Sequence, residues 1–81
     1  MVEVAPRITA DPAVCHGQPV IHGTRVLVSI LIGRLAGGMT VEAVADAYAV
    51  TREDVLAALS YAADAVRGEQ LRPAKQDRAS A

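Results

Sequence analysis

The sequence predicts a mainly α fold in which three helices follow a short N-terminal β-ribbon. Apolar residues recur at helical spacing in three consecutive segments after position 28, and glycine or threonine signals bound each segment. Before position 28, short β-branched runs alternate with glycine and proline, which is typical of short strands and turns. A helix, a glycine turn, a short helix, a three-residue turn and a longer helix together make a helix-turn-helix-like plan.

The composition indicates a core built from small aliphatic side chains. The chain has 81 residues, of which 52% are hydrophobic, yet it contains no Trp or Phe, and its only aromatic residues are Tyr48 and Tyr61. A domain of this size is marginally stable on its own. We therefore expect part of the apolar surface, chiefly the first helix and the ribbon, to be buried against a second copy in a homo-oligomer.

Charge and cysteine content exclude several classes of protein. A formal net charge of -1 argues against strong nonspecific attraction to nucleic acid. The single cysteine excludes an internal disulfide framework and suits a reducing compartment. The N-terminus lacks the pattern of a signal peptide, and the apolar run from Val26 to Ile32 is too short to span a bilayer. We expect a soluble cytoplasmic protein.

Two strands are predicted in the N-terminal part, over residues 7–10 and 20–22. Gly17 and Pro19 bracket the turn between them, and Gly23 closes the second strand. The two glycines are expected to permit positive φ or a close chain approach. A two-stranded ribbon is weak in isolation, so we expect its exposed edge to find a partner, with pairing across a dimer axis as one solution.

The first helix is predicted from Val28 to the Gly37-Gly38 pair, because glycine readily ends a helix. Arg34 is its only charged residue, and Ile30 adds apolar surface to a second face. A helix that is apolar on several sides is expected to be buried on more than one of them. Its main apolar positions, which share a helical spacing, are Val28, Leu31, Ile32 and Leu35.

Threonines mark the starts of the second and third helices. Thr40 is a predicted N-cap with Glu42 in the first turn, and Thr51 and Asp54 match a capping box. The buried stripe of the second helix is predicted to be Val41, Val44, Ala45 and Tyr48. The third helix is predicted to carry a stripe of Val55, Leu59, Ala62 and Val66, with Leu56 and Ala63 beside it.

The outer face of the third helix argues against base reading. Arg52 and Arg67 lie only at its ends, whereas phosphate contact needs positive charge and base contact favours Arg, Lys, Asn or Gln. The helix therefore has the character of a packing or interface element. The residues predicted on this outer face are Glu53, Asp54, Ala57, Ser60 and Asp64.

The chain divides into a predicted helix-turn-helix-like domain over residues 1–67 and a flexible tail over residues 68–81. The third helix is expected to fray near Gly68, and the tail that follows has one Leu, one Pro and several charges. Such a composition favours disorder, or ordering on a partner.

The segment Gly17-Gln18-Pro19-Val20-Ile21-His22-Gly23-Thr24-Arg25 resembles the core motif of the bacterial family catalogued as domain of unknown function 433. The likeness begins at Ile8, continues through residues 35–40 and 51–63, and covers about residues 8–66. It implies a homeodomain-like helix-turn-helix domain with a short β-element. Members of this family are often regarded as VapB-like antitoxins, each encoded beside a PIN-like toxin nuclease, and no catalytic residue carries over from the family.

Two positions depart from the pattern of this family. Leu27 stands where proline is common, which is expected to leave the entry to the first helix less constrained. The turn over residues 48–51 lacks the proline, and one residue, of the commoner form. This departure bears on the angle between the second and third helices.

A candidate metal site consists of Cys15, His16 and His22, with Asp11 as a fourth ligand, and Cys15 with a histidine is a candidate nucleophilic pair. Adjacent Cys and His rarely converge on one ion, and a nucleophile also needs an orienting third group and a pocket. Structural roles are therefore favoured, and no metal, cofactor or enzymatic activity is predicted. A small metal-dependent regulator is the weakest of the three functional hypotheses.

The two main hypotheses differ in the partners that they assign. In the first, the chain is the antitoxin of a type II toxin-antitoxin system, and its tail orders on the toxin through Arg72, Lys75 and Arg78. In the second, it is an interaction or dimerisation module that binds no DNA. Arg25 is expected to satisfy carbonyls or Asp11 rather than phosphate, and Arg34 to pair across a dimer or to face solvent. If DNA is bound, the candidate residues are Arg25, Arg34, Thr51 and Arg52.

Overall fold

The computed structural model describes residues 1–69 and contains three helices behind a small antiparallel sheet. The strands are β1 (Val2–Ala5), β2 (Ile8–Ala10) and β3 (Val20–Ile21), in the spatial order β1-β2-β3. The helices are α1 (Val28–Ala36), α2 (Val41–Tyr48) and α3 (Arg52–Glu69), and a 3-10 turn covers Cys15–Gly17. The prediction of a mainly α domain with a β-element is confirmed at this level.

Strand β1 was not predicted, and it corrects the expectation for the ribbon edge. β1 pairs with β2 in the register Glu3↔Thr9, and β2 pairs with β3 in the register Thr9↔Val20. The edge of β2 that we expected to pair across a dimer axis is therefore covered by the same chain. The Val2-Glu3-Val4 alternation is the signal for this strand, but its side chains are exposed, so burial does not reveal it.

The core lies where the sheet meets the three helices. Its fully buried large side chains are Ile8, Ile21, Leu31, Val44 and Val55. Val20, Val28, Ala45 and Ala58 complete the buried apolar set. The predicted faces of α1 and α2 are confirmed, because Val28, Leu31, Val44 and Ala45 are buried and the remaining predicted positions are partly buried against them.

The predicted stripe of α3 is wrong for its largest members. Val55 and Ala58 are fully buried, whereas Leu59 and Val66 are exposed. Small residues such as Ala58 let α3 approach α1, α2 and β2 closely, and this rotates the larger side chains away from the core. Side-chain size alone favoured Leu59 over Ala58, and only the packing shows the opposite choice.

The predicted helix boundaries are confirmed in atomic detail. The Thr40 hydroxyl accepts a hydrogen bond from the backbone N–H of Ala43 at 3.0 Å. The Thr51 hydroxyl accepts from the backbone N–H of Asp54, and the Asp54 carboxylate accepts from that of Thr51, both at 3.0 Å. This reciprocal pair is the capping box that the sequence predicts. Gly38, just after α1, has φ +105, which ends that helix.

Both departures from the family pattern are accommodated by the backbone. Leu27, the N-cap of α1, has φ -71, which lies in the range that proline would impose. Ala49, after α2, has φ 56 and ψ 40, so a left-handed residue closes the shortened turn before α3. The first departure costs little in geometry, while the second places an alanine where glycine is preferred.

Within residues 1–69, none of the helices combines the length and hydrophobicity needed to cross a membrane.

Candidate interaction surfaces

Arg34 projects from the last turn of α1 toward the end of α2. Its Nε donates a hydrogen bond of 2.8 Å to the hydroxyl oxygen of Tyr48. This hydrogen bond raises the pKa of Arg34 further above its already high ordinary value, so the guanidinium is a permanent cation. The side chain faces solvent, as one of the two predicted roles has it, but it is also held by Tyr48 of the same chain, which was not predicted. Sequence reasoning had placed Tyr48 only in the buried stripe of α2.

Thr51 and Arg52 lie at the start of α3, close in the chain to Tyr48. The Thr51 side chain is engaged in the capping box, and Arg52 Nε donates to Glu42 Oε2 at 3.0 Å. The hydrogen bond from Arg52 lowers the pKa of Glu42, although both side chains are more than half exposed. Arg34, at the end of α1, contacts the last residue of α2, whereas Arg52, at the start of α3, contacts Glu42 in the first turn of α2. The end of α1 and the start of α3, which both contact α2, are called the helix junction below.

Arg25 lies away from that junction, before the first turn of α1. The nine residues of α1 separate it from the Arg34 end, a distance of about 13 Å along the helix axis. Its side chain is exposed and forms no ion pair within residues 1–69. The predicted partner Asp11 instead accepts from the backbone N–H of Ala13 at 2.9 Å. The expected Arg25–Asp11 pairing is therefore not formed.

Arg7 and Asp54 form a contact between the sheet and α3 that sequence reasoning missed. Arg7 Nη1 lies 2.9 Å from Asp54 Oδ1, and the Asp54 side chain is only 14% exposed. Burial opposes ionisation of this carboxyl, but hydrogen bonds from Thr51 and Arg7 outweigh it and hold the pKa of Asp54 below its ordinary value. Asp54 therefore faces the protein and not the solvent, which corrects its placement on the outer face of α3.

Cys15 and His16 lie in the N-terminal 3-10 turn, and His22 follows β3. Cys15 and His16 have φ 50 and 59, and the Cys15 thiol lies 3.7 Å from the carbonyl oxygen of Arg25. The predicted positive φ is found at Gly17 (+84) and Gly23 (+78). In the part of the chain that the structure describes, no three His, Cys, Asp or Glu side chains come together as metal ligands.

An open apolar groove of about 450 Å³ lies between α1 and the C-terminal half of α3. One wall is lined by the α1 residues Val28, Ser29, Ile32, Gly33 and Ala36, and Gly33 leaves open space where a Cβ would stand. Tyr61 and Val66 of α3 belong to the opposite wall. Among residues 1–69, the Tyr61 phenol is the only titratable side chain that lines the groove, which therefore suits the burial of apolar surface.

A second apolar surface runs along α3 and borders the groove at Val66, which belongs to both. Leu56 is 38% exposed, Leu59 37% and Val66 53%, and Ala63 between them is also exposed. These four residues, spaced by three, four and three positions, are called the α3 stripe below. Neither leucine is among the side chains packed against the core.

The described domain has more acidic than basic side chains, and the basic residues predicted to bind the toxin lie outside it. Residues 1–69 contain five arginines and eight acidic side chains. The predicted toxin-binding residues Arg72, Lys75 and Arg78 lie outside the described residues. Of the predicted 68–81 tail, only Gly68 and Glu69 are described, as the last two residues of α3.

These features define a small helical domain with a β-element, in which hydrogen bonds, ion pairs and a helix cap account for the shifted pKa values of Arg34, Glu42 and Asp54. The chain belongs to the family described as Protein of unknown function (DUF433), whose model matches residues 8–62. The resemblance drawn from the motif around Gly17–Arg25 is thereby confirmed.

A protein of Mycobacterium tuberculosis (strain ATCC 25618 / H37Rv) named "Putative antitoxin VapB45" is 42% identical over 52 residues, which are 64% of this chain and 22% of that protein. The X-ray crystal structure of Rv2018 from Mycobacterium tuberculosis matches with a TM-score of 0.60 and 42% identity, and the match covers 64% of this chain and 24% of that one. The chain thus matches less than a quarter of the length of these relatives.

Proposed function

We propose that this chain is the antitoxin component of a type II toxin-antitoxin pair, a non-catalytic regulator that binds a PIN-like toxin nuclease. The observation that carries the proposal is the 42% identity to a protein named as an antitoxin. The matched 52 residues equal most of the described domain in number, so the likeness concerns a folded unit and not a short motif.

The electrostatics support binding rather than catalysis. The groups with shifted pKa are Arg34, Glu42 and Asp54, and each shift arises from a contact that fastens one helix to another element or caps α3. A catalytic site would instead place a shifted acid or base in a cleft with a second reactive group in reach. The described domain presents interaction surfaces of two kinds, the apolar groove and the arginine-bearing helix junction.

The tail is proposed to provide the inhibitory contact. Arg72, Lys75 and Arg78 concentrate three basic residues within seven positions, directly after an acidic domain. PIN-like nucleases use acidic residues in their active sites, as the resemblance implies, so a basic segment is complementary to that site. The charged segment would gain order on the toxin, as coupled folding and binding allows.

Contact with operator DNA is proposed at the helix junction, where Arg34, Thr51 and Arg52 lie. Both arginines are exposed, and each is held at α2 by one hydrogen bond, Arg34 to Tyr48 and Arg52 to Glu42. Arg25, beyond the other end of α1, would reach a separate phosphate. Since Arg52 already neutralises Glu42, this DNA contact is expected to be weak and to need more than one copy of the chain.

The second candidate function is a protein–protein interaction module that makes no contact with DNA. The excess of acidic over basic side chains in residues 1–69 favours it, because a carboxylate-rich surface repels phosphate. The acidic Glu53 and Asp64 on the exposed part of α3 act in the same direction.

Two triple variants of the full chain test these assignments and serve as controls for each other. The tail variant is Arg72→Ala/Lys75→Ala/Arg78→Ala, and the domain variant is Arg25→Ala/Arg34→Ala/Arg52→Ala. Each removes three positive charges. Co-expressed with the nuclease encoded beside it, the tail variant is expected to lose neutralisation of toxicity and to bind the purified nuclease at least tenfold more weakly. The domain variant is expected to retain both properties.

Gel-shift titration against the chain's own upstream region tests the DNA contact. Saturable, salt-sensitive binding that the domain variant loses and the tail variant keeps would support it. Absence of a shift across the micromolar range would leave the interaction module without DNA as the better description. Failure of the wild-type chain to bind the adjacent nuclease would refute the antitoxin proposal itself.

A further inference from the structure

We infer that the α3 stripe is a self-association surface on which two copies of this chain pair their α3 helices in antiparallel orientation. The stripe consists of Leu56, Leu59, Ala63 and Val66, spaced by three, four and three residues. That spacing is the one at which two helices interlock along a seam. The inference is independent of the toxin and of DNA, because it concerns only this chain.

Residues 1–69 leave the α3 stripe uncovered. The two leucines and Val66 expose more than a third of their surface each, while Val55 and Ala58 on the inner side of the same helix are fully buried. Helix α3 has 18 residues and is about 27 Å long, enough for a seam of three turns. A row of large aliphatic side chains on the outside of a small domain is typical of an interface.

The charged residues beside the α3 stripe favour a second copy of this chain as its binding partner, with the two α3 helices antiparallel. Glu53, Ser60 and Arg67 follow one another at intervals of seven residues, so they lie along the same flank of α3. An antiparallel pair with its twofold axis near Ser60 places Glu53 of each copy against Arg67 of the other. A parallel pair would bring Glu53 level with Glu53 and Arg67 level with Arg67.

The apolar side chains of the α3 stripe also pair in this antiparallel arrangement, about a twofold axis that lies within one residue of Ser60. With the helices antiparallel, Leu59 lies opposite Ala63 of the second copy, and Leu56 lies opposite its Val66. Each layer then joins a larger side chain to a smaller one, which is the condition for close interhelical packing. Arg67 already contacts Asp64 within its own helix at 2.6 Å, so its guanidinium is held on the flank where the second Glu53 would arrive.

This interface differs from the one expected from the sequence, which used α1 and the ribbon edge. β1 covers the edge of β2, and Val28 and Leu31 of α1 are buried within the domain. Ile30 of α1 and Val2 and Val4 of β1 stay exposed, but the α3 stripe is the surface whose flanking charges are complementary to a second copy of itself. A dimer built on the α3 stripe also covers the middle of α3, so in this dimer that segment is not available to enter a DNA groove.

The test is a charge-swap experiment on the full chain, followed by sedimentation velocity over a concentration series. Wild type is expected to be dimeric in the micromolar range. Glu53→Arg and Arg67→Glu are each expected to weaken the dimer on the order of tenfold, because two attractive pairs become repulsive. An equimolar mixture of the two variants is expected to recover dimerisation as a heterodimer, since both flanking pairs are then complementary. Thermal unfolding of each variant confirms that it is folded.

A matched pair of lysine substitutions separates the α3 stripe from the α1–α3 groove. Ala63→Lys puts a charge in the centre of the seam and is expected to abolish dimerisation. Ala36→Lys adds the same charge at an exposed position lining the groove and is expected to leave it intact. A wild-type chain that stays monomeric, a mixture that gains no association, or a dimer lost in Ala36→Lys but kept in Ala63→Lys would each overturn the inference. Loss of toxin binding with the dimer intact would refute only the antitoxin proposal.

Discussion

Asp54→Asn is the substitution that most directly tests how the sheet, the turn and α3 are fastened together. One carboxylate oxygen accepts from the backbone N–H of Thr51 at 3.0 Å, and the other accepts from Arg7 at 2.9 Å. Both partners are donors. An asparagine of the same shape can present an acceptor to only one of them and must turn its amide N–H groups toward the other.

The expected loss follows from these two contacts. A helix cap contributes about 1 kcal/mol, and an ion pair in which Arg7 is half exposed contributes about 0.5 kcal/mol. Because asparagine keeps one of the two contacts, the expected loss in the free energy of unfolding is about 0.5–1 kcal/mol, which corresponds to a decrease in Tm of about 2–8 °C for a domain of this size. Asp46→Asn, an exposed position on α2 whose side chain forms no hydrogen bond within residues 1–69, is the matched control and is expected to leave Tm unchanged.

The pH dependence gives the same contact a second, independent signature. The folded-state pKa of Asp54 is lowered, so its contribution is fully present above the unfolded-state value of about 3.9 and disappears as the pH falls through the folded-state value. Urea unfolding followed by circular dichroism is therefore expected to show a wild-type advantage over Asp54→Asn at neutral pH that shrinks in acid. An advantage that is absent at neutral pH, or that grows in acid, would refute the reasoning.

Three further experiments test the helix ends and the core by thermal unfolding. Ala49→Gly is expected to stabilise the domain by about 1 kcal/mol because Ala49 has φ 56, where glycine carries no steric cost; an unchanged or lower Tm would contradict the assigned left-handed turn. Leu31→Ala is expected to destabilise the domain by about 2–5 kcal/mol because Leu31 is fully buried. Leu59→Ala, at 37% exposure, should cost less than about 1 kcal/mol in the monomer. Equal losses would show that Leu31 is wrongly assigned to the core or Leu59 wrongly assigned to the exposed side of α3. Thr40→Ala is expected to cost about 1 kcal/mol through loss of the bond to Ala43, with Ser60→Ala on the exposed side of α3 as its control.

The elements whose signals are local were predictable from the residues. The caps at Thr40 and at Thr51, the glycine end of α1 and the buried faces of α1 and α2 depend on side chains within a few positions of one another. These interactions act over short distances, so the residues that form them are close in the sequence and can be recognised there. The family resemblance around Gly17–Arg25 was likewise confirmed, because its motif is contiguous in the chain.

Features that join distant segments were not predictable in this way. β1 is defined by its pairing with β2, and the Arg7–Asp54 contact spans 47 positions. Arg34 was assigned to solvent or to a second copy because nothing in the sequence indicates that the Tyr48 hydroxyl lies within hydrogen-bonding distance. The rotation of α3 was misjudged for the same reason: Ala58 faces the core and Leu59 does not.

The sequence by itself determined the order of the three helices, the positions at which they begin and end, and the family to which the chain belongs. Tertiary structure decided which side of α3 is buried, which arginines are already held by Tyr48 and Glu42, and which apolar residues remain outside. The physical reason is that capping and periodicity depend on residues one or two turns apart. The rotation of a helix, by contrast, depends on how closely small side chains such as Ala58 allow several elements to pack together.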